Sequence, residues 1–227
     1  MWEGIYGSYN EIAPETSEYS QVQEQTLDRQ AVVDSAKQYP EDRFKLLKDS
    51  IPQGKKSTVL EIGGDLGSNW VLLNENCDLE YHILEIEKLV NHGRSIFPEI
   101  TWHTEIPKLD NNLDVLYVRT ALQYLEDMDK YLSECIRKNL PTKIVVDHTS
   151  FTPVKTFWTK QNYAGVKIPY CFKNFEEFDY NIKSHGYKLI YQSNDERYDY
   201  SNRVNFAKEN LYPYITNLVY EIVDEEG

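Results

Sequence analysis

The sequence predicts an α/β fold: a doubly wound, mostly parallel seven-stranded sheet with an antiparallel edge hairpin and an N-terminal helical cap. Three observations carry that expectation. From residue 57 onward, short apolar runs alternate with stretches of helical periodicity, the pattern of strands buried on both faces. The first of these runs ends directly in Gly63-Gly64. The last two, residues 187–191 and 214–223, have no helix-length pattern between them, which suits an antiparallel pair at a sheet edge.

Residues 1–25 are polar, rich in Glu and aromatics (Trp2, Tyr6, Tyr9, Tyr19), and read as irregular. Leu27, Ala31, Val32 and Ala36 give residues 26–38 a weak helical stripe, interrupted by Tyr39-Pro40. Residues 41–51 read as a second short helix, closed by Pro52 and Gly54. Strand 58–62 follows, then helix 68–76, strand 81–86, helix 87–96 and strand 99–103. Residues 114–118 are the fourth strand, 127–139 a polar helix and 143–147 the fifth strand. Helix 175–185 is stopped by Gly186, and the two edge strands end the chain. Residues 1–56 are thus expected to form a cap or lid segment with helices, and residues 57–227 the core.

Composition narrows the function. The 227 residues carry a net charge of −13. That acid excess disfavours nucleic acid and anionic membrane surfaces, both of which are bound through Lys and Arg. Cys77, Cys135 and Cys171 are dispersed and include no CxxC pair, which suits reduced thiols in a cytoplasmic protein. The first residues lack a basic and then apolar leader pattern, and no apolar run approaches the ~20 residues of a membrane span. His82, His92, His103, His148 and His185 show no ligand spacing, so no metal is expected.

The informative segment is Leu60-Glu61-Ile62-Gly63-Gly64-Asp65-Leu66-Gly67-Ser68-Asn69. It lies after a strand and before a helix, where ligands bind in open α/β sheets. A dinucleotide fingerprint fails, because its second and third glycines would fall on Asp65 and Ser68. A P-loop at Gly54-Lys55-Lys56-Ser57 fails too, because Asp49 stands where its first glycine belongs and the segment precedes a strand. The third reading is S-adenosylmethionine (SAM). There an acid ends the first strand before the glycine turn, and a second acid ending the next strand takes the ribose hydroxyls. Glu61 and Glu85, with Ile86 beside it, fit those places, and Glu87 is the alternative if the register is shifted by two.

On these residues the chain resembles the class I SAM-dependent methyltransferase superfamily. It is similar, more narrowly, to a methyltransferase family often encoded among bacterial surface-polysaccharide genes. The resemblance rests on Trp2-Glu3-Gly4-Ile5-Tyr6-Gly7-Ser8-Tyr9, residues 59–67, Ala121-Leu122-Gln123-Tyr124-Leu125, Val146-Asp147-His148-Thr149-Ser150-Phe151, Thr159-Lys160-Gln161 and Ile168-Pro169-Tyr170-Cys171. It implies a Rossmann-like fold, SAM as cofactor and S-adenosylhomocysteine as product. The site it implies comprises Glu61, Gly63, Gly64, Asp65, Gly67, Glu85 and Ile86, with Thr104 and Glu105 near the adenine and Arg119 and Thr120 near the sulfonium. Arg119 is a candidate partner for the cofactor carboxylate or for an anionic substrate. The chain departs from the superfamily at Asp65, where glycine is usual, and from the narrower family at His148, where Arg is frequent.

On the acceptor side, Tyr6, Tyr9, Gln123 and Gln161 are candidate substrate contacts. His148 follows the fifth strand and is the candidate base for removing a hydroxyl proton, with Tyr124 and Asp147 next. The resemblance implies O-methylation of a sugar, nucleotide-sugar or small phosphorylated precursor of a surface glycan. A non-catalytic SAM-binding subunit and a small-molecule N-methyltransferase are the alternatives.

Overall fold

The computed structural model describes residues 2–16, 27–163, 165–195, 204–212 and 214–223. The irregular segment expected over 17–25, with Tyr19, and Thr26 at the head of the first expected helix lie outside them. Strands β1 to β11 are Trp2–Tyr6, Ser57–Ile62, Leu79–Leu84, Thr101–His103, Val115–Arg119, Lys143–Thr149, Phe151–Thr152, Phe157–Tyr163, Val166–Asn174, Tyr187–Asp195 and Ile215–Ile222. Helices α1 to α7 are Tyr9–Ile12, Arg29–Ala36, Lys45–Ser50, Ser68–Leu73, Glu87–Ile96, Met128–Asn139 and Phe175–Lys183.

Seven strands form one sheet in the order β10-β11-β6-β5-β2-β3-β4. The five from β6 to β4 are parallel to their neighbours, and β11 and β10 are antiparallel. This is the expected sheet, edge hairpin included. The β-branched and aliphatic runs fill both of its faces. Leu60, Ile62, Leu116, Val118, Ile144 and Val146 point into a core with residues of α6 and α7. Val59, Val115, Tyr117 and Val145 alternate to the other face, against residues of α2 to α5. Helices start where side chains satisfy their free N–H groups. Asp28 accepts from the Ala31 N–H at 2.8 Å, Asp127 from Lys130 at 3.0 Å and Asn174 from Glu177 at 2.8 Å.

The structure corrects three readings. The helix expected over 41–51 is a 3-10 turn, Glu41–Phe44, followed by the short α3. The supposedly irregular N-terminus begins with a strand, β1. Most importantly, there is a second sheet of order β1-β8-β9-β7, and three of its strands lie in the stretch between β6 and α7 where no element was expected. Pro169 sits inside β9, opposite Lys160 of β8. A proline removes a ladder donor, so the segment does not read as a strand. Trp2, Phe157, Tyr170 and Phe172 line one face of this sheet in a separate core. Trp158 and Cys171 join the main core from the same strands. The N-terminal strand reaches this sheet by pairing Trp2 with Gln161 and Tyr6 with Trp158.

Candidate active site

A cavity of about 580 Å³ opens across the carboxyl ends of β5, β2, β3 and β4. Its floor is the turn between β2 and α4. Gly63 has φ +69°, and a Cβ there would collide with the Cβ of Ala121, which follows β5. At Gly64 a Cβ would come within 2.9 Å of the Glu61 carboxyl. Asp65 takes the glycine-like left-handed conformation, φ 51°, at the position where the resemblance expects glycine. Thr120 (φ 50°) and His148 (φ 52°) share it near the ends of β5 and β6. Such conformations are costly for residues with a Cβ and concentrate where function over-determines the backbone.

The turn gathers three carboxyl groups. Glu61 is 1% exposed; it accepts from Asn69 Nδ2 at 2.6 Å and from the Tyr81 hydroxyl at 2.7 Å. Glu85 accepts from the backbone N–H of Ile86 at 2.7 Å and of Asp65 at 3.2 Å. Burial pushes both carboxyls up to about 7, against the pull of these donors. Burial likewise raises Asp65. Asp65 Oδ1 and Asn69 Oδ1 are buried acceptors without a hydrogen-bond partner among the described residues.

Two cations face this acidic wall. Arg119 is committed: its Nη1 donates to Asp147 Oδ2 at 2.6 Å and to the Arg43 carbonyl at 3.1 Å. Tyr117 donates to the same Asp147 oxygen at 2.8 Å. Arg43 stacks its guanidinium 3.5 Å over the Tyr39 ring, and its Nε is buried without a hydrogen-bond partner among the described residues. Arg43 therefore brings donor capacity to the cavity.

Of the residues singled out in the sequence, Glu61, Gly63, Gly64, Asp65, Glu85, Ile86, Thr104, Arg119, Thr120, Tyr9 and Tyr124 line this cavity. Gly67, Glu105, Tyr6, Gln123 and Gln161 do not. Gly67, at φ +85°, caps α4. Tyr6 lies under the Lys160 ammonium at 4.9 Å. Gln123 is a buried residue of the 3-10 turn Leu122–Tyr124, and Gln161 accepts the Tyr124 hydroxyl at 2.9 Å. Asp147 and His148 line a neighbouring cavity of about 510 Å³, between α3 and the β10–β11 hairpin. Arg43 and Arg119 form the wall that the two cavities share. Burial drives the Tyr124 hydroxyl far above its ordinary titration range, so it is neutral.

Sequence reading missed Arg43, Tyr39, Asn69, Tyr131, Tyr163 and Pro169 in the lining. Asn69 closes the quoted glycine segment and was within reach of its spacing. Pro169 stands in the quoted Ile168-Pro169-Tyr170-Cys171 segment, and the others come from elements far away in the chain and carry no local signal.

No family model matches the chain, and no curated protein sequence matches it. Solved structures do. A SAM-dependent methyltransferase from Mesorhizobium loti is similar with a TM-score of 0.57, over 82% of this chain and 99% of that one, at 16% identity. The magnesium protoporphyrin IX methyltransferase of Synechocystis PCC 6803, solved with bound SAM, gives 0.51 over 86% and 79% at 14% identity. The CcbJ methyltransferase of Streptomyces caelestis gives 0.50 over 85% and 96% at 15% identity. The chain has the Rossmann-like α/β fold of these methyltransferases. Among the described residues, no helix is long and apolar enough to cross a membrane.

Proposed function

We propose that the protein is a SAM-dependent methyltransferase acting on a hydroxyl of a small acceptor, a saccharide or its activated precursor being the class that the resemblance adds. The observation that carries the proposal is the trio Glu61, Asp65 and Glu85 in one cavity with Arg43. The pocket sets three carboxyls, two of them pushed up to about 7 by burial, against two arginines, of which Arg119 is tied to Asp147. A pyrophosphate would meet repulsion there, whereas an amino-acid sulfonium brings an ammonium and a sulfonium, and ribose hydroxyls as donors. The donor set fits that group. Glu85 takes the ribose hydroxyls. Asp65 Oδ1, buried and unpartnered, takes the ammonium, and Arg43 takes the carboxylate.

SAM would be held by Glu85, Asp65 and Arg43 and would supply the acceptor oxygen with a methyl group from its positively charged sulfur, leaving S-adenosylhomocysteine and a proton for the solvent. The glycine turn lets the backbone approach without a Cβ in the way, and its strained neighbours Asp65 and Thr120 hold the two sides of the cavity. Arg119, tied to Asp147, fixes the Arg43 carbonyl and with it the 3-10 turn that delivers the cation. Methyl transfer then depends chiefly on in-line positioning.

Titration calorimetry with S-adenosylhomocysteine tests this reading, and one site per chain is the expected result. Binding of NADH with no response to S-adenosylhomocysteine would sink it.

A further inference from the structure

The cavity is chemically divided. It crosses four adjacent strand ends, a span of roughly 14 Å at the usual strand spacing. The three carboxyls belong to the β2 and β3 side. On the β5 side Arg119, at the strand's end, is held by Asp147, and the remaining lining is Tyr9, Tyr124, Leu125, Tyr163 and Pro169, an end with no charged side chain of its own.

Most of that uncharged end is supplied by parts of the chain outside the seven-stranded sheet. Tyr163 ends β8, Pro169 lies in β9 and Tyr9 opens α1. The rings are set by the second sheet and its neighbours. Tyr9 packs edge-on to Trp158 at 5.2 Å, and Tyr124 edge-on to Tyr170 at 5.5 Å. Tyr124 is further fixed by its bond to Gln161 of β8. The second sheet thus holds an aromatic surface over the mouth of the cavity, next to the end of β5. Rigid amphipathic rings of this kind suit a flat partner with polar edges.

Resting on the cofactor reading above, we infer that this end binds a hydroxylated six-membered ring, uncharged at its reacting end, laid against Tyr9, Tyr124 and Tyr163. Within the acceptor class proposed above, this selects a ring presented by its own hydroxyl over one held here by a phosphate. A sugar ring and a phenol share the required chemistry. Each offers a face to the tyrosines and a hydroxyl toward the methyl donor.

Saturation-transfer NMR on the full chain, with S-adenosylhomocysteine present, tests the inference. The probes are methyl α-glucopyranoside, catechol and phosphoethanolamine at millimolar concentration. Saturation of the pyranoside or of catechol, undiminished by S-adenosylhomocysteine, is the expected result, and which of the two responds separates sugar from phenol. Tyr163 is 37% exposed, so its replacement spares the core. Tyr163→Ala should weaken the ring probe by about tenfold, while Tyr163→Phe stays within about twofold. Calorimetry should show S-adenosylhomocysteine affinity unchanged in both variants. Response to phosphoethanolamine alone, displacement of the ring probe by S-adenosylhomocysteine, silence of both ring probes, or indifference to Tyr163→Ala each overturns the inference. Loss of S-adenosylhomocysteine binding by the unaltered protein instead overturns the cofactor reading, and is seen separately in the calorimetry.

Discussion

Glu85 accepts the backbone N–H of Asp65 at 3.2 Å, which ties the end of β3 to the glycine turn that follows β2. One carboxylate therefore shapes the turn and faces the cavity. Replacing it by alanine removes the proposed ribose acceptor. Glu85→Ala should weaken S-adenosylhomocysteine by about ten- to a hundredfold, the scale of hydrogen bonds to a charged group. Because donors favour the ionised form, affinity in the parent protein should rise as pH passes upward through about 7, and Glu85→Ala should flatten that rise. Calorimetry across that range checks both; an affinity indifferent to Glu85 refutes the assignment.

Glu61 predicts a pH dependence of stability. Its carboxyl titrates near 7 in the fold against an ordinary 4.5. A group raised on folding contributes stability that is complete below the lower value and lost as pH rises through the higher one. At alkaline pH the loss is of order 3 kcal/mol for an uncompensated shift of this size. Glu61→Gln is isosteric. Its amide can accept from Tyr81 and, with the Asn69 amide flipped, donate to Asn69 Oδ1. The variant should melt higher than the parent at alkaline pH and alike near 4.5. His103 acts with the opposite sign. Burial and neighbouring His82 lower it to about 4, so its contribution is present above 6.5 and lost as pH falls through 4. Melting curves at three pH values separate the two groups.

Gly63→Ala should destabilise by more than about 1 kcal/mol, since alanine at positive φ is strained even before contacts are counted. Here the new Cβ also meets that of Ala121. Ala121→Gly in the same chain should restore part of the loss, the part due to collision, and leave the backbone strain. Urea unfolding of the single and double variants measures the split. Full rescue would mean that the φ constraint costs nothing.

His148 lines the cavity on the far side of Arg43 and Arg119. With that wall between, His148→Ala should keep kcat within a few-fold of the parent. A loss of about a hundredfold or more, the scale of general acid–base catalysis, would route the proton through the neighbouring cavity after all.

The sheet was legible because its signal is local. Apolar runs such as Val59–Leu60 and Val115–Leu116 report burial on both faces, and a strand buried on both faces has few alternative places to go. The glycine turn was legible for a similar reason: a strand, two glycines and a helix fix where a backbone can approach a ligand. The second sheet was not legible. Pro169 masks β9, and β1 finds its partner only across the length of the chain, Trp2 opposite Gln161.

The sequence by itself therefore determined the doubly wound core, its edge hairpin and the acid-and-glycine end of the cavity, because period and turn chemistry act over a few residues. Only the tertiary structure decided that Arg119 is tied to Asp147 and Arg43 is left facing the acids, that His148 falls in the adjoining cavity, and that tyrosines from β8 and α1 complete the mouth. Those are contacts between side chains distant in sequence. Their partners are chosen by packing and charge in three dimensions, and neither leaves a periodic mark on the chain.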